Sequence, residues 1–258
     1  MHLTEIIALM IAGAAAGVIN SLAGGGTLVT FPVLLLFGIP PIIANATSTV
    51  ALFLGTTGSI FGYRQHLPVI KPWLSRFLPV SLVGGLIGSI LLTRTSNDVF
   101  SKLVPFLILF ATLVFLAQGA LRRFVRLSEN PAPATHQKNV VRAVVFQFFV
   151  AIYGGYFGAG IGILMLASLG FIGLTNIYEM NALKTTLGSL LNLVAAIWFV
   201  WAGLIDWPRA LTMTLGAMGG YYIGAHYSQQ ISQRAVRMII TGIGFTISTV
   251  TFYQQFCR

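Results

Sequence analysis

The chain has 258 residues, of which only 8% are charged, and a mean hydropathy of +0.87. So few charges exclude an ordinary water-soluble domain, in which about 25% of residues are charged. The formal net charge of +10 does not indicate nucleic-acid binding, because the basic residues occupy short gaps between apolar runs and form no dense patch. The sequence therefore predicts an all-α integral membrane protein.

Taken in chain order, the predicted helices fall into two sets of five. Those of the first half lie at about 5–21, 26–37, 44–63, 72–93 and 102–121. Those of the second half lie at about 140–157, 161–173, 179–202, 208–228 and 235–256. The polar stretch between them contains Pro, Ala, Ser and Asn, which is typical of a linker. The predicted domains are a first transmembrane repeat (1–121), a cytoplasmic linker (122–139) and a second transmembrane repeat (140–258).

The two halves repeat each other at an offset of about 136 positions, without gaps over some 65 residues. At this offset Asn45 falls on Asn181, and Pro72 falls on Pro208. Glycines coincide as well, but Asn and Pro in the same register favour a duplication over chance. Two glycine pairs spaced four apart also match, and they predict close helix packing: Gly84/Gly88 and Gly220/Gly224.

Each half has a glycine-rich break after its first apolar segment, LAGGG at 22–26 and FGAGIG at 157–162. Adjacent glycines continue a helix poorly, and the segment after each break is marginal for a full crossing. A hairpin returning to its own side would make the halves inverted repeats, whereas a broken span would make them parallel. Charge favours inverted repeats with the linker in the cytoplasm, since basic residues then share its side: Arg64, Lys71, Arg76, Arg234 and Arg237.

A break frees backbone N–H groups at the positive end of the next helix, where an anion can bind. Two breaks that converge near the midplane would form a transporter site between the repeats. Lys184 adds an ammonium that is costly in hydrocarbon unless paired or wetted, although it could instead reach a headgroup. Asn45 and Asn181 could bind substrate or bond to freed carbonyls. The predicted substrate-binding residues are Asn20, Gly24, Gly25, Gly26, Asn45, Ser48, Tyr156, Gly160, Gly162, Asn181, Lys184 and Thr185.

At these residues the chain resembles the sulfite exporter TauE/SafE family, also called the four-toluene-sulfonate uptake permease (TSUP) family. The resemblance rests on GVINSLAGGGTLVTFPVLLLFGIPPIIANATSTVAL and GYR in the first half, and on GGYFGAGIGILMLASL and NALKTTLGSLLN in the second. It covers nearly the whole chain. It implies a multi-pass protein of a bacterial inner membrane that transports small anions, commonly sulfite, sulfoacetate or other sulfonates. The anion and the direction of transport stay open.

The duplicated breaks predict a secondary transporter that works by alternating access. An anion channel or a membrane subunit of a larger complex is the alternative, since a channel would use similar helix ends. An enzyme is disfavoured because the sequence has no HExxH, CxxC or paired mid-helix Asp motif. No catalytic residue, metal or cofactor is predicted.

The expected partners are a small anionic substrate and the lipid bilayer, with no nucleic acid. A homo-oligomer stays open, as does coupling to protons or to the membrane potential. The first apolar segment lacks a basic leader, so we expect it to remain in the mature protein.

Overall fold

The computed structural model describes residues 1–22, 24–62, 67–127, 133–170, 177–226 and 233–256. These residues are almost entirely helical and contain no strand. The ten helices are α1 (Leu3–Leu22), α2 (Thr27–Leu36), α3 (Pro41–Gly62), α4 (Leu67–Arg94), α5 (Asn97–Leu127), α6 (Pro133–Tyr156), α7 (Ile161–Gly170), α8 (Ile177–Trp201), α9 (Trp207–His226) and α10 (Gln233–Phe256). Each corresponds to one predicted segment, so the all-α prediction is confirmed.

The helices on either side of the predicted linker are longer than expected. Helix α5 continues to Leu127 and α6 begins at Pro133. The prediction ended each helix where its apolar run ended, but Arg and Lys are good helix formers and a helix can continue past the hydrocarbon. Proline suits the first helical position, where its missing N–H costs nothing. The domain boundaries and the cytoplasmic place of this stretch stay predictions.

The outer surface of the helices is apolar. Large side chains such as Phe149, Ile197 and Leu215 are exposed. Such extensive apolar exposure is unfavourable in water and favourable in lipid. Four helical stretches within the described residues are long and apolar enough to cross a membrane: Leu3–Ser21, Pro68–Arg94, Asn97–Ala117 and Glu179–Trp201. The protein is therefore a multi-pass membrane protein.

The two halves are interleaved in the packing. Helix α1 packs most extensively on α9, and α6 packs most extensively on α4. Helix α6 is the repeat counterpart of α1, and α4 is that of α9, so the same pairing occurs twice with the halves exchanged. Helix α3 likewise packs on α9 as α8 packs on α4. The main contacts of each half are thus made with the other half, which places the two glycine breaks in one shared core.

Small residues bring α1 and α9 into backbone contact. A Cβ placed on Gly216 would lie 2.1 Å from Met10 O, and one on Gly224 would lie 2.1 Å from Ser21 Oγ. A Cβ on Gly220, which lies between them on α9, would be equally crowded by α1. Later residues of α9 contact later residues of α1, so the two helices run parallel.

Helices α4 and α6 meet in the same way. A Cβ on Gly84 would lie 2.8 Å from Phe148 O, and one on Gly88 would lie 2.8 Å from Tyr156 N. These helices also run parallel, and a larger residue at either glycine would force them apart. The packing role predicted for both glycine pairs is confirmed.

Candidate functional site

The glycine breaks of the two halves lie in contact. A Cβ placed on Gly24 would lie 3.0 Å from the Cα of Gly162 and 3.4 Å from its amide nitrogen. Gly24 and its repeat counterpart Gly160 have positive φ angles of 75° and 77°, which side chains other than glycine rarely adopt. Helices α2 and α7 begin just after these turns. Their N-terminal ends, which carry partial positive charge, therefore lie close together.

Phe115 of α5 packs against both breaks. A Cβ on Gly25 would lie only 2.2 Å from the ring atom Cζ, and one on Gly160 would lie 3.5 Å from Cε2. The ring is fully buried and fills the space beside both turns. Sequence reasoning missed Phe115, because one phenylalanine in a long apolar helix gives no polar or periodic signal.

The first break is capped by the side chain of Asn20. Its Oδ1 accepts hydrogen bonds from the amides of Gly25 and Gly26 at 2.6 and 2.7 Å. Its Nδ2 donates to the hydroxyl of Tyr221 on α9 at 2.8 Å. Asn20 was predicted as a substrate contact. In this structure the oxygen of its amide already accepts from two of the donors that the first break frees, and the nitrogen already donates to Tyr221.

At the second break a side chain bonds to a backbone carbonyl, whereas at the first break a side chain bonds to backbone amides. The hydroxyl of Tyr153 donates to the carbonyl of Ala159 at 2.8 Å, so here a carbonyl is satisfied. In the part of the chain that the structure describes, no side chain accepts a hydrogen bond from the amide of Gly160 or Gly162. Tyr156, the repeat counterpart of Asn20, has its hydroxyl 3.4 Å from Thr95 Oγ1. The second break therefore keeps backbone donors that the first break has given up.

Asn45 of α3 lies at the carboxyl end of α6. Its Nδ2 donates to the carbonyl of Tyr156 at 3.1 Å, which is the bond to a freed carbonyl that the sequence left as one alternative. The residue is 1% exposed, and its Oδ1 has no hydrogen-bond partner. The amide oxygen of Asn45 therefore has unused capacity to accept a hydrogen bond.

One turn further along α3, Ser48 reaches the first break. Its hydroxyl lies 2.5 Å from Thr30 Oγ1, and Thr30 donates to Gly26 O at 3.2 Å. Residues three apart share a helix face, so Asn45 and Ser48 present one polar face that reaches both breaks. Thr30 was not predicted, because a single threonine in an apolar segment resembles ordinary packing.

Three further predicted residues lie near the beginning of α8. Lys184 is 5% exposed, and Asn181 and Thr185 are half-buried. Because Lys184 is largely enclosed by protein, its burial disfavours the alternative in which it reaches a lipid headgroup. A substrate contact for these three side chains stays a prediction.

A charged network ties the beginnings of α1 and α9 to α3. Arg209 donates from Nε to Glu5 Oε1 at 2.6 Å and from Nη1 to Asp206 Oδ2. The amide of Asp206 donates to Thr47 Oγ1 at 3.1 Å. Glu5 was missed because a lone glutamate near the start of a helix resembles a solvated residue. The repeat counterparts of Glu5, Asp206 and Arg209 are Val141, Ile70 and Trp73. None of these three residues is charged, so the network has no equivalent in the other half.

Known proteins resemble the chain over most of its length. A relative from Haemophilus influenzae named "Probable membrane transporter protein" is 27% identical over 253 residues, which cover 96% of this chain and 94% of the relative. The Escherichia coli K12 "Probable membrane transporter protein YfcA" is 24% identical over 242 residues, which cover 93% and 87%. No solved structure matches the chain significantly. The model of the family described as "Sulfite exporter TauE/SafE" matches residues 9–251. Since this match spans nearly the whole chain, the protein belongs to the sulfite exporter TauE/SafE family of membrane transporters.

Proposed function

We propose that the protein is a secondary transporter of small anions, including sulfur-containing ones such as sulfite, sulfoacetate or other sulfonates. The observation that carries the proposal is the contact between Gly24 and Gly162. It brings the N-terminal ends of α2 and α7 together, so that their positive dipoles add around one point, while the second break supplies the backbone donors from which no described side chain accepts a hydrogen bond. An anion is the ligand that this arrangement favours. The family description supports sulfur oxyanions as the first class to test.

We further propose that the halves are inverted repeats, and the helix directions support this. Thr47 lies beside Asp206, and Gly55 lies beside Ala217, so α3 runs parallel to α9 and hence to α1. Because α1 and α3 share a direction, the chain must return between them through α2, which makes the first break a hairpin. Only residues 63–66 separate α3 from α4, so α4 turns back, and α6 runs parallel to α4. Helix α6 then opposes its repeat counterpart α1.

Charge supports an orientation for this topology. The beginnings of α4, α6 and α10 and the end of α5 lie on one side of the membrane. That side collects most of the basic residues of the described chain: Lys71, Arg76, Arg122, Arg123, Arg126, Lys138, Arg142, Arg234 and Arg237. Arg64 lies outside the described residues. By the positive-inside rule this side is cytoplasmic, and the bacterial relatives favour the inner membrane.

The grouping of the helices supports alternating access. Helices α1, α3 and α9 pack together, as do α4, α6 and α8. Each group combines helices of both halves, and each contains the helix that ends at one break. Movement of one group against the other would open the meeting point of the breaks first to one side and then to the other.

Counterflow in proteoliposomes tests this function. Vesicles with the purified protein are loaded with an unlabelled anion, and uptake of the same labelled anion is followed for sulfite, sulfoacetate, sulfonates and carboxylates. A carrier gives a transient, saturable accumulation of label, because exchange outruns net loss. A channel gives rapid dissipation without counterflow. Absence of protein-dependent flux for every anion in the panel would contradict the proposal.

A further inference from the structure

An apolar groove lies where α3, α8 and the beginning of α9 meet, and its volume is about 460 Å³. Three helices line it: Val50, Phe53 and Leu54 of α3, five residues between 193 and 201 of α8, and Trp207 of α9. Every lining residue is hydrophobic, and none belongs to a glycine break. The groove is therefore separate from the candidate anion site.

The groove has a buried floor and opens onto the surface that faces lipid. Val50 and Ala196 line it and are only 3% and 5% exposed. Ile197 and Trp201 also line it but are 60% and 76% exposed, so they continue the outer apolar surface of the helices. Whatever fills the groove therefore reaches it from the hydrocarbon of the membrane.

Hydrophobic walls decide what kind of molecule the groove can hold. A buried water needs two or more polar partners, which these walls do not supply, and an anion needs them even more. Empty space is unfavourable as well, because the wall atoms lose their dispersion contacts. The occupant must therefore be apolar.

A helix of another protein is too thick for the groove. The lining residues extend along about 12 Å of α8, from Leu193 to Trp201. One helical turn with its side chains is about 10 Å across and about 5.4 Å long, so it alone occupies about 420 Å³. The groove has no room for a second turn along its length. A hydrocarbon chain is thinner and flexible, and it can follow the whole groove.

Two tryptophans mark one end of the groove. Trp201 is the last residue of α8, and Trp207 is the first residue of α9. Tryptophan is enriched where the membrane meets water, because its ring is amphipathic. Leu193 lies about 12 Å deeper along α8. The groove thus runs from the headgroup level into the bilayer, as a lipid tail does.

We infer that the groove binds one acyl chain of a membrane lipid, which enters beside Trp201 and Trp207 and has its methyl end toward Leu193. On the proposed orientation this lipid belongs to the leaflet opposite the cytoplasm. The chain contacts α3 and α8, which belong to different helix groups. Binding of the chain does not require anion transport, so its failure and the failure of the proposed function are separate results.

Photo-crosslinking of the wild type in nanodiscs tests the inference. The probe is a phosphatidylcholine with a diazirine midway along one acyl chain, and the adducts are located by peptide mass spectrometry. Leu52 is the internal control, because it is also 3% exposed but packs in a buried cluster with Ala16 and Ala217. We expect at least about fivefold more labelling at Val50 than at Leu52, since the photoproduct reacts only with atoms in contact.

Labelling of the exposed residues Leu211 and Leu215 on α9 shows that the probe surrounds the protein. If they are labelled and Val50 is labelled no more than Leu52, the inference is wrong. That is also the result expected if a second copy of the chain covers the groove. The comparison uses only the wild type, so it does not depend on the folding of a variant.

Ala196→Phe places a ring in the groove and should lower labelling of Val50 to the level of Leu52. Ala117→Phe is the matched control, because Ala117 is an exposed alanine of α5 outside the groove. It should leave labelling of Val50 unchanged. Equal labelling of Val50 in Ala196→Phe and in the wild type would contradict binding in the groove.

The position of the diazirine tests the direction of the chain. A diazirine near the headgroup should label Trp201 and Trp207, and one near the terminal methyl should label Leu193. The reverse order would place the headgroup at the Leu193 end and would contradict entry beside the tryptophans.

Discussion

Gly24 of the first half lies against Gly162 of the second half, so closely that a Cβ on Gly24 would come within 3.0 Å of the Gly162 Cα. Contact between positions 138 residues apart joins the two glycine breaks through their backbones. The hairpin of one half is therefore braced by the hairpin of the other. Any substitution that moves one break must also move the other, and this coupling leads to the first prediction.

Gly24→Ala should reduce transport strongly. Its φ of 75° disfavours a Cβ by about 1–2 kcal/mol, and the added methyl would press on Gly162. Because small misplacements of binding groups cost much activity, we expect uptake to fall at least about tenfold. The measurement is initial uptake in proteoliposomes at equal protein density. Gly219→Ala is the control, since a Cβ there meets nothing within 4 Å. Equal loss in both variants would contradict the role of the break.

Asn20→Ala should destabilise the protein, because it leaves the amides of Gly25 and Gly26 without an acceptor. Each unsatisfied buried amide costs about 1–3 kcal/mol. Asn20→Asp keeps an acceptor and should lose much less stability. Unfolding temperatures in detergent check this order. If Asn20→Asp is as unstable as Asn20→Ala, the cap does not hold the break.

Phe115→Ala should cost about 3–5 kcal/mol of stability, since it removes a fully buried ring that packs on both breaks. Phe149→Ala is the matched control, because Phe149 is 63% exposed and faces lipid. Thermal unfolding in the same detergent compares the two. Similar unfolding temperatures for both variants would show that the ring does not support the breaks.

Glu5→Gln should weaken the attachment of α1 to α9, because it removes the carboxylate that accepts from Arg209 Nε at 2.6 Å. Glu5 is buried, and loss of one partner from a buried charged pair costs more than loss of an exposed one. We expect a lower unfolding temperature than for Asp98→Asn, a change at an exposed residue of α5. A double-mutant cycle with Arg209→Ala measures the coupling directly. Zero coupling would mean that the network has no stabilising role.

Much of the architecture could be predicted from the sequence because it depends on local patterns. Apolar runs and glycine clusters located both breaks and all ten helices of the part of the chain that the structure describes. The predicted end of α5 and beginning of α6 were wrong because these helices continue through charged residues such as Arg126 and Lys138, which are good helix formers. A helix end that is set by solvation, and not by a helix-breaking Gly or Pro, leaves no local signal in the sequence.

The site was less predictable because its geometry depends on contacts between the halves. Repeat matching brought Gly24 and Gly160 to attention as counterparts, and they share the same backbone conformation. It could not show that Asn20 caps its own break while Tyr156, at the same repeat position, does not. The difference between the two breaks comes from side chains that the duplication no longer shares. Phe115 and Glu5 were missed for the same reason, since their roles exist only through partners distant in the chain.

The most direct measurement is a structure of the protein in lipid nanodiscs with a transported sulfonate at saturating concentration. The account predicts density for the sulfonate where the breaks meet, beside the N-terminal ends of α2 and α7. Density elsewhere, with the breaks still packed against each other, would contradict it.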